Sequence, residues 1–288
     1  MTTAVERLSR RLPLKRAFIT GAASGLGLEI SRRLAAGGWN LGMLDVNAAE
    51  LAAARQSLNS TDSSILTYHA DVRDGAGVTQ AVNRFAQSVG GLDLMINNAG
   101  VAVAGSVLET STEDWRWALE INLLGCVHGC RAAIPHLLAS NSAILLNIAS
   151  AAGFASGPGM SAYNASKAGV ISLTETLQQE LAGSGVRLTV AMPSFFKTNL
   201  LATARAPESE MQTARLLMDN SRYSLQQAAE DILGAAADDR FYAVLPRRYV
   251  NLWRFKRFFP VRFMRAFPRL REKLAATMRR RQAGDSSK

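Results

Sequence analysis

Short apolar runs recur along the chain at 17–20, 41–45, 65–70, 92–97, 143–149, 188–192 and 242–245. Runs of this length without strict polar alternation predict strands buried on both faces, as in a parallel sheet. The stretches between them, at 26–36, 74–89, 115–138 and 162–182, have the length and period of crossover helices. Alternating strands and helices joined by right-handed crossovers give an α/β Rossmann-type doubly wound parallel sheet of about seven strands, with helices on both faces. No internal repeat or low-complexity linker divides residues 1–246, which are expected to form a single domain. The rhythm lapses at 197–223, a polar, helix-prone insertion between the sixth and seventh strands. Ligands of open α/β sheets bind beyond the carboxyl ends of the strands, so this insertion is expected to cover a substrate.

The first strand runs into Thr20-Gly21-Ala22-Ala23-Ser24-Gly25-Leu26-Gly27 and then directly into a helix. Residues without a Cβ permit a tight turn and a close backbone approach to a pyrophosphate, and the helix start offers free N–H groups. The second strand ends at Asp45, about 20 residues after the glycine turn, where a carboxylate accepts from a ribose hydroxyl. The same charge repels a 2′-phosphate, and neither Ser24 nor Val46 is basic, so NAD is preferred over NADP.

The order and spacing of Gly21-x-x-x-Gly25-x-Gly27, Asn97-Asn98-Ala99-Gly100, Asn122, Ser150 and Tyr163-x-x-x-Lys167 resemble the short-chain dehydrogenase/reductase family, over residues 16–245. The resemblance implies an oxidoreductase moving a hydride between a nicotinamide and the carbon of a hydrophobic alcohol, aldehyde or ketone. It implies Tyr163 as general acid or base, Lys167 as the cation favouring its phenolate and as a ribose contact, and Ser150 as a donor to the substrate oxygen. It also implies that Asn122 holds a water in a proton relay to the lysine. A phenol with an ordinary pKa of about 10 needs a neighbouring charge to serve near neutrality. Lys167, one helical turn on, lies on the face that can supply it.

For the cofactor the resemblance implies contacts from Gly21, Ser24, Gly25, Leu26, Gly27 and Asp45, and adenine contacts from Asp71 and Val72. Asn98, Ala99 and Gly100 would line the adenosine side, and Tyr163 and Lys167 the nicotinamide side. Pro193, Phe196 and Thr198 resemble the segment that meets the carboxamide, with Ser194 where the family has glycine and Phe196 where it has a small aliphatic. Phe154, Met160 and Phe195 are candidate pocket walls, although core packing explains them nearly as well. The family usually assembles as dimers or tetramers through the helices bearing Asn122 and Tyr163.

Charge redraws the last part of the chain. The net charge is +10 at pH 7, yet residues 247–288 carry fourteen Lys and Arg against Glu272 and Asp285, leaving 1–246 slightly acidic. A nucleic-acid groove on the body is thereby disfavoured. In this basic extension Leu252, Phe255, Phe259, Phe263, Phe267, Leu270, Leu274 and Met278 recur every three or four residues. Arg254, Arg257, Arg262, Arg265, Arg269 and Lys273 are interleaved with them, and Pro260 and Pro268 divide the pattern into short helices. Such a segment suits peripheral membrane contact through 247–281, on the inner membrane face of an otherwise cytoplasmic protein, or packing on the protein itself as a lid or subunit contact. A non-catalytic NAD-binding or lipid-sensing protein that uses this tail is the alternative to an enzyme. Cys126 and Cys130 lack the companions of a metal site and read as small buried apolar groups, so no metal is expected.

Overall fold

Side chains along each strand alternate between two apolar layers, one on each face of a single seven-stranded sheet. The computed structural model describes residues 2–58 and 63–266. The strands are β1 (Arg16–Thr20), β2 (Asn40–Asp45), β3 (Ile65–His69), β4 (Leu94–Asn97), β5 (Ala143–Ile148), β6 (Val186–Pro193) and β7 (Tyr242–Leu245). All pairings are parallel, in the order β3-β2-β1-β4-β5-β6-β7. The order reverses beside β1, and β1 and β4 therefore part at their carboxyl ends to leave the crevice in which such sheets bind ligands.

The helices are α1 (Ala4–Arg11), α2 (Gly25–Ala36), α3 (Ala48–Ser57), α4 (Gly75–Val89), α5 (Thr112–Leu119), α6 (Gly125–Leu138), α7 (Ala152–Ala155), α8 (Ser161–Glu180), α9 (Glu208–Asp219), α10 (Leu225–Ala237) and α11 (Val250–Phe258). Ile19, Met43, Ile96, Ile144 and Leu146 point to the layer shared with α1, α2 and α10, and Phe18, Leu44, Met95, Leu145 and Val190 to the one shared with α4, α6 and α8. This two-sided burial is why the strands read as continuous apolar runs. No helix among the described residues is long and apolar enough to cross a membrane.

Two features depart from the periodicity. The stretch expected as one helix at 115–138 starts three residues earlier and contains a π turn at Glu120–Leu124 between α5 and α6. The basic N-terminal run forms α1, capped by Thr3 and Glu6 and packed on α10, with Arg7 paired to Asp238 at 3.1 Å. The apolar partners of Leu8, Val5 and Ala4 come from distant α10 and from the turn after α2, which a local pattern does not reveal.

At the amino end of the sheet a buried ion pair joins β1 to β4. Arg16 donates from Nε to Asp93 Oδ2 at 2.9 Å and from Nη2 to Oδ1 at 2.6 Å, and Ser140 Oγ donates to Oδ1 at 2.8 Å. Asp93 is 2% exposed, so removing it strands a guanidinium out of water. Asp93→Ala is expected to lower the unfolding free energy by about 3–5 kcal/mol, measured by urea titration, with the turnover of the remaining folded protein unchanged.

Candidate active site

The carboxyl end of β1 turns into α2 through a loop that tolerates no side chains at three points. Gly21 and Gly25 have φ of +64° and +53°. A Cβ on Gly21 would stand 2.8 Å from Ala99 Cα, and one on Gly27 would stand 2.0 Å from the Gly21 carbonyl oxygen. Ser24, the residue before α2, makes no side-chain cap, so the N–H groups of the helix start face the cleft without a capping side chain. A concave backbone, open donors and a positive helix end together fit the pyrophosphate of a dinucleotide.

The loop is braced from neighbouring strand ends. Asn98 Nδ2 donates to the carbonyls of Thr20 and Gly21 at 3.0 and 2.9 Å, and Thr20 Oγ1 accepts from the N–H groups of Asn98 and Ala99 at 3.1 Å each. Asp45, at the end of β2, accepts from Ala23 N–H at 3.0 Å and Asn47 N–H at 3.0 Å. Asp45 therefore stands against the glycine loop as the sequence spacing requires, and it also holds that loop in place. Thr20 was not singled out by the sequence, since a threonine at a strand end gives no local sign that its hydroxyl serves a second strand.

Farther along the crevice, Val72 is buried and its carbonyl accepts from His128 Nδ1–H at 2.8 Å. Asp71 is ion-paired with Arg73 at 2.6 Å, and hydrogen bonding from that arginine holds its carboxyl below the usual range.

The second cluster forms where β5 meets α8. Tyr163 and Lys167 share one face of α8, with the ammonium 5.9 Å from the centre of the phenol ring. Ser150, just past β5, hydrogen-bonds the phenol, accepts from Ala152 N–H at 3.1 Å and lies 3.5 Å from the Pro193 carbonyl. Lys167 is 4% exposed and donates to the Ile148 carbonyl at 3.0 Å. Burial pulls its pKa down to about 8.

The phenol behaves differently from the expectation that the lysine alone makes it acidic. Burial raises the Tyr163 pKa, and the Ser150 hydrogen bond only partly opposes that rise. The reason is that low-dielectric surroundings disfavour both charged forms, the phenolate and the ammonium, at once.

Asn122 lies in the π turn, and its amide is fully engaged. Its Oδ1 accepts from Val101 N–H at 2.8 Å, and its Nδ2 donates to the Val101 carbonyl at 3.0 Å and to Ser166 Oγ at 3.0 Å. Ser166 in turn donates to the Tyr163 carbonyl at 2.8 Å. The amide thus ties the loop after β4 to the helix bearing Tyr163. Between them lies Gly100, where a Cβ would stand 3.1 Å from Asn122 Oδ1 and 3.3 Å from Lys167 Nζ. Ser166, fully buried, was missed by the sequence, whose only trace of it is a polar residue on an inward face of α8.

The segment after β6 lies across both clusters. A Cβ on Gly25 would meet Thr198 Oγ1 at 2.9 Å, which brings that threonine onto the glycine loop. Phe196 is buried edge-on against Tyr223, with ring centres 6.3 Å apart, so its side chain belongs to the core layer rather than the cleft. Pro193 closes β6 beside Ser150, its carbonyl accepting from Ala151 N–H at 2.9 Å. Farther on, Arg205 exchanges backbone hydrogen bonds with Ala102 and Ala104, stacks 4.2 Å over Trp117 and pairs with Asp114 at 2.9 Å. Below it Val103, Ala118 and Ala162 form a small apolar cluster with Trp115 and Trp117.

Comparison with known proteins agrees with this geometry. Residues 15–209 match the family model described as short chain dehydrogenase. The chain is 33% identical over 236 residues to 2-(R)-hydroxypropyl-CoM dehydrogenase of Xanthobacter autotrophicus, covering 76% of this chain and 94% of that protein. It is 34% identical over 210 residues to 2-dehydro-3-deoxy-L-rhamnonate dehydrogenase (NAD(+)) of a Sphingomonas species, covering 73% and 82%. The crystal structure of a short chain dehydrogenase/reductase from Burkholderia phymatum in complex with NAD superposes with a TM-score of 0.80 at 30% identity, covering 84% of this chain and 92% of that one. A glycine cradle, a serine–tyrosine–lysine cluster and these matches lead to one conclusion: the chain belongs to the short-chain dehydrogenase/reductase family of nicotinamide-dependent oxidoreductases.

Proposed function

We propose that the protein transfers a hydride between NAD and the hydroxyl or carbonyl carbon of a hydrophobic alcohol, aldehyde or ketone, with Tyr163 as general acid and base. The observation that carries this reading is the convergence of Ser150 and Lys167 on one phenol in a water-poor cleft. The nicotinamide, when bound, supplies or accepts the hydride. Ser150 donates to the substrate oxygen and so stabilises the alkoxide-like charge that develops there. Tyr163 gives that oxygen its proton in reduction and takes it back in oxidation. Lys167 offsets the negative charge left on the phenol. Asn122 serves by fixing Gly100 and Val101 against α8, which keeps the space beside the ammonium free of a side chain.

Gly21, Ser24, Gly25, Leu26 and Gly27 are assigned to the pyrophosphate, Asp45 to the ribose hydroxyls, and Asp71 and Val72 to the adenine edge. Asn98, Ala99 and Gly100 are assigned to the adenosine side, Tyr163 and Lys167 to the nicotinamide ribose, and Pro193, Phe196 and Thr198, the phenylalanine through its backbone, to the carboxamide. NAD over NADP is supported by the charge of Asp45, by the NAD(+) in the name of the Sphingomonas relative and by the NAD in the Burkholderia structure. A hydrophobic substrate is supported by the partly buried Trp115 and Trp117 beside the 197–223 insertion, where the neighbouring Arg205 is already paired with Asp114. Assembly as a dimer or tetramer is assigned to the surfaces of the α5–α6 stretch bearing Asn122 and of α8 bearing Tyr163.

Three outcomes are expected. Tyr163→Phe lowers kcat by about 10²–10⁴-fold while NADH, followed by fluorescence titration, still binds. Full activity in that variant would instead favour a non-catalytic NAD-binding role. Asp45→Ala shifts the ratio of kcat/KM for NAD over NADP by at least about tenfold towards NADP. Because Lys167 carries its charge below a pKa of about 8 and loses it above, kcat/KM for the dinucleotide falls as pH rises through that value, in a profile that reports free-enzyme groups.

A further inference from the structure

Beyond β7 the chain divides its side chains cleanly between an anchored face and a bare one. On the inner face of α11, Trp253 lies 5.0 Å from the Tyr242 ring. Arg257 lies over both rings, donates to the Tyr242 hydroxyl at 3.2 Å and pairs with Glu175 of α8 at 3.7 Å. The helix also packs against α7, which follows Ser150. A second helical stretch covers 260–266, separated from α11 at Phe259-Pro260 as the proline requires. Its Phe263 turns inward, 6.0 Å from Phe255 and 5.2 Å from Lys256 Nζ.

The outer face keeps Phe255, Phe258, Phe259, Val261 and Met264 exposed at 38, 71, 50, 62 and 53%. Twelve large apolar side chains are exposed among the described residues, and these five fall within ten consecutive positions while the others lie scattered over the surface. Single exposed apolar groups need no explanation, but a contiguous patch marks an interaction surface. Besides the inner Arg257, the same stretch carries Arg247, Arg248, Arg254, Lys256, Arg262 and Arg265, with no acidic residue anywhere in 247–266. A second copy of the same face would meet it with like charge. A nucleic acid would answer the charge but offer no apolar layer for Phe258 and Phe259.

We propose that the face formed by 250–266 docks this protein on an anionic lipid bilayer, its phenylalanines at the level of the acyl chains and its arginines among the headgroups. The docked face lies along the β7 side of the molecule: α11 starts just past the carboxyl end of β7 and leans on α7, and its Trp253 and Arg257 reach back to Tyr242 at the amino end of that strand. The membrane assignment stands independently of the oxidoreductase reading, and its test does not involve turnover.

The test is flotation of the full chain with vesicles of phosphatidylcholine alone or with about 30 mol% phosphatidylglycerol. Expected is co-flotation with the anionic vesicles and not the neutral ones, weakened by 0.5 M salt as screening at roughly 3–4 Å lengths demands. The exposed-site double variant Phe258→Ser with Phe259→Ser should reduce vesicle binding at least about tenfold with an unaltered thermal midpoint. Failure of the wild type to float, or equal flotation of the double variant, would overturn the proposal. So would a wild type that stays with the soluble fraction and that light scattering shows to lose a subunit in the double variant, since the face would then join copies of the chain. Retention on a DNA duplex that is as strong in the double variant as in the wild type, together with no flotation, would point to nucleic acid instead.

Discussion

An ammonium group held out of water beside a phenol is the constraint around which the carboxyl end of this sheet is organised. Lys167 is 4% exposed and its one charged group is answered by the Ile148 carbonyl rather than by a carboxylate. Burying a cation this way costs stability, and a nearby acid would relieve that cost. An acid would also neutralise the charge that the phenol requires. The chain leaves the lysine without one, and its pKa drops to about 8 as a result. Tyr163 shows the same compromise in the opposite sense, its proton held more tightly because the site is dry.

Holding such a pair requires backbone to come close where side chains would ordinarily intervene. Gly100 leaves room for the ammonium and the Asn122 amide, while Gly153 lets α7 touch the backbone of α8 at Lys167, where a Cβ would stand 2.7 Å from a carbonyl carbon. The polar groups that fix these approaches come from separate elements: Thr20 with Asn98, Asp45 with Ala23, and Asn122 with Val101 and Ser166. Each satisfies buried backbone donors or acceptors that an open crevice would otherwise orphan. Residues assigned to the cofactor are thus the same residues that keep the crevice open, which is why a cradle of this shape exists in the protein by itself.

The extension beyond β7 follows a different economy. Its inner side is secured by a tryptophan, a tyrosine and an arginine–glutamate pair, and its outer side keeps five large apolar groups in solvent. Of the two readings that the sequence left open, packing on the protein is realised on the inner face of this short helix, while contact with another surface is the proposal that the exposed outer face carries. The positions Phe267, Leu270, Leu274 and Met278, with Arg269, Lys273 and Pro268, lie outside the described residues.

Sequence by itself determined the strand–helix rhythm, the glycine turn, the acidic end of β2 and the Tyr163–Lys167 spacing. Each of these is a local property: a period, a missing Cβ or a one-turn separation along a helix. The observed strands lie within about two residues of the apolar runs, because burial on both faces leaves a continuous signature. Tertiary structure alone decided that α1 rests on α10, that Thr20 and Ser166 brace the site, that Phe196 turns into the core, and that burial raises the pKa of the phenol. Those outcomes depend on partners that are distant in the chain and on how much water the assembled crevice excludes, and neither quantity is written in any short stretch of residues.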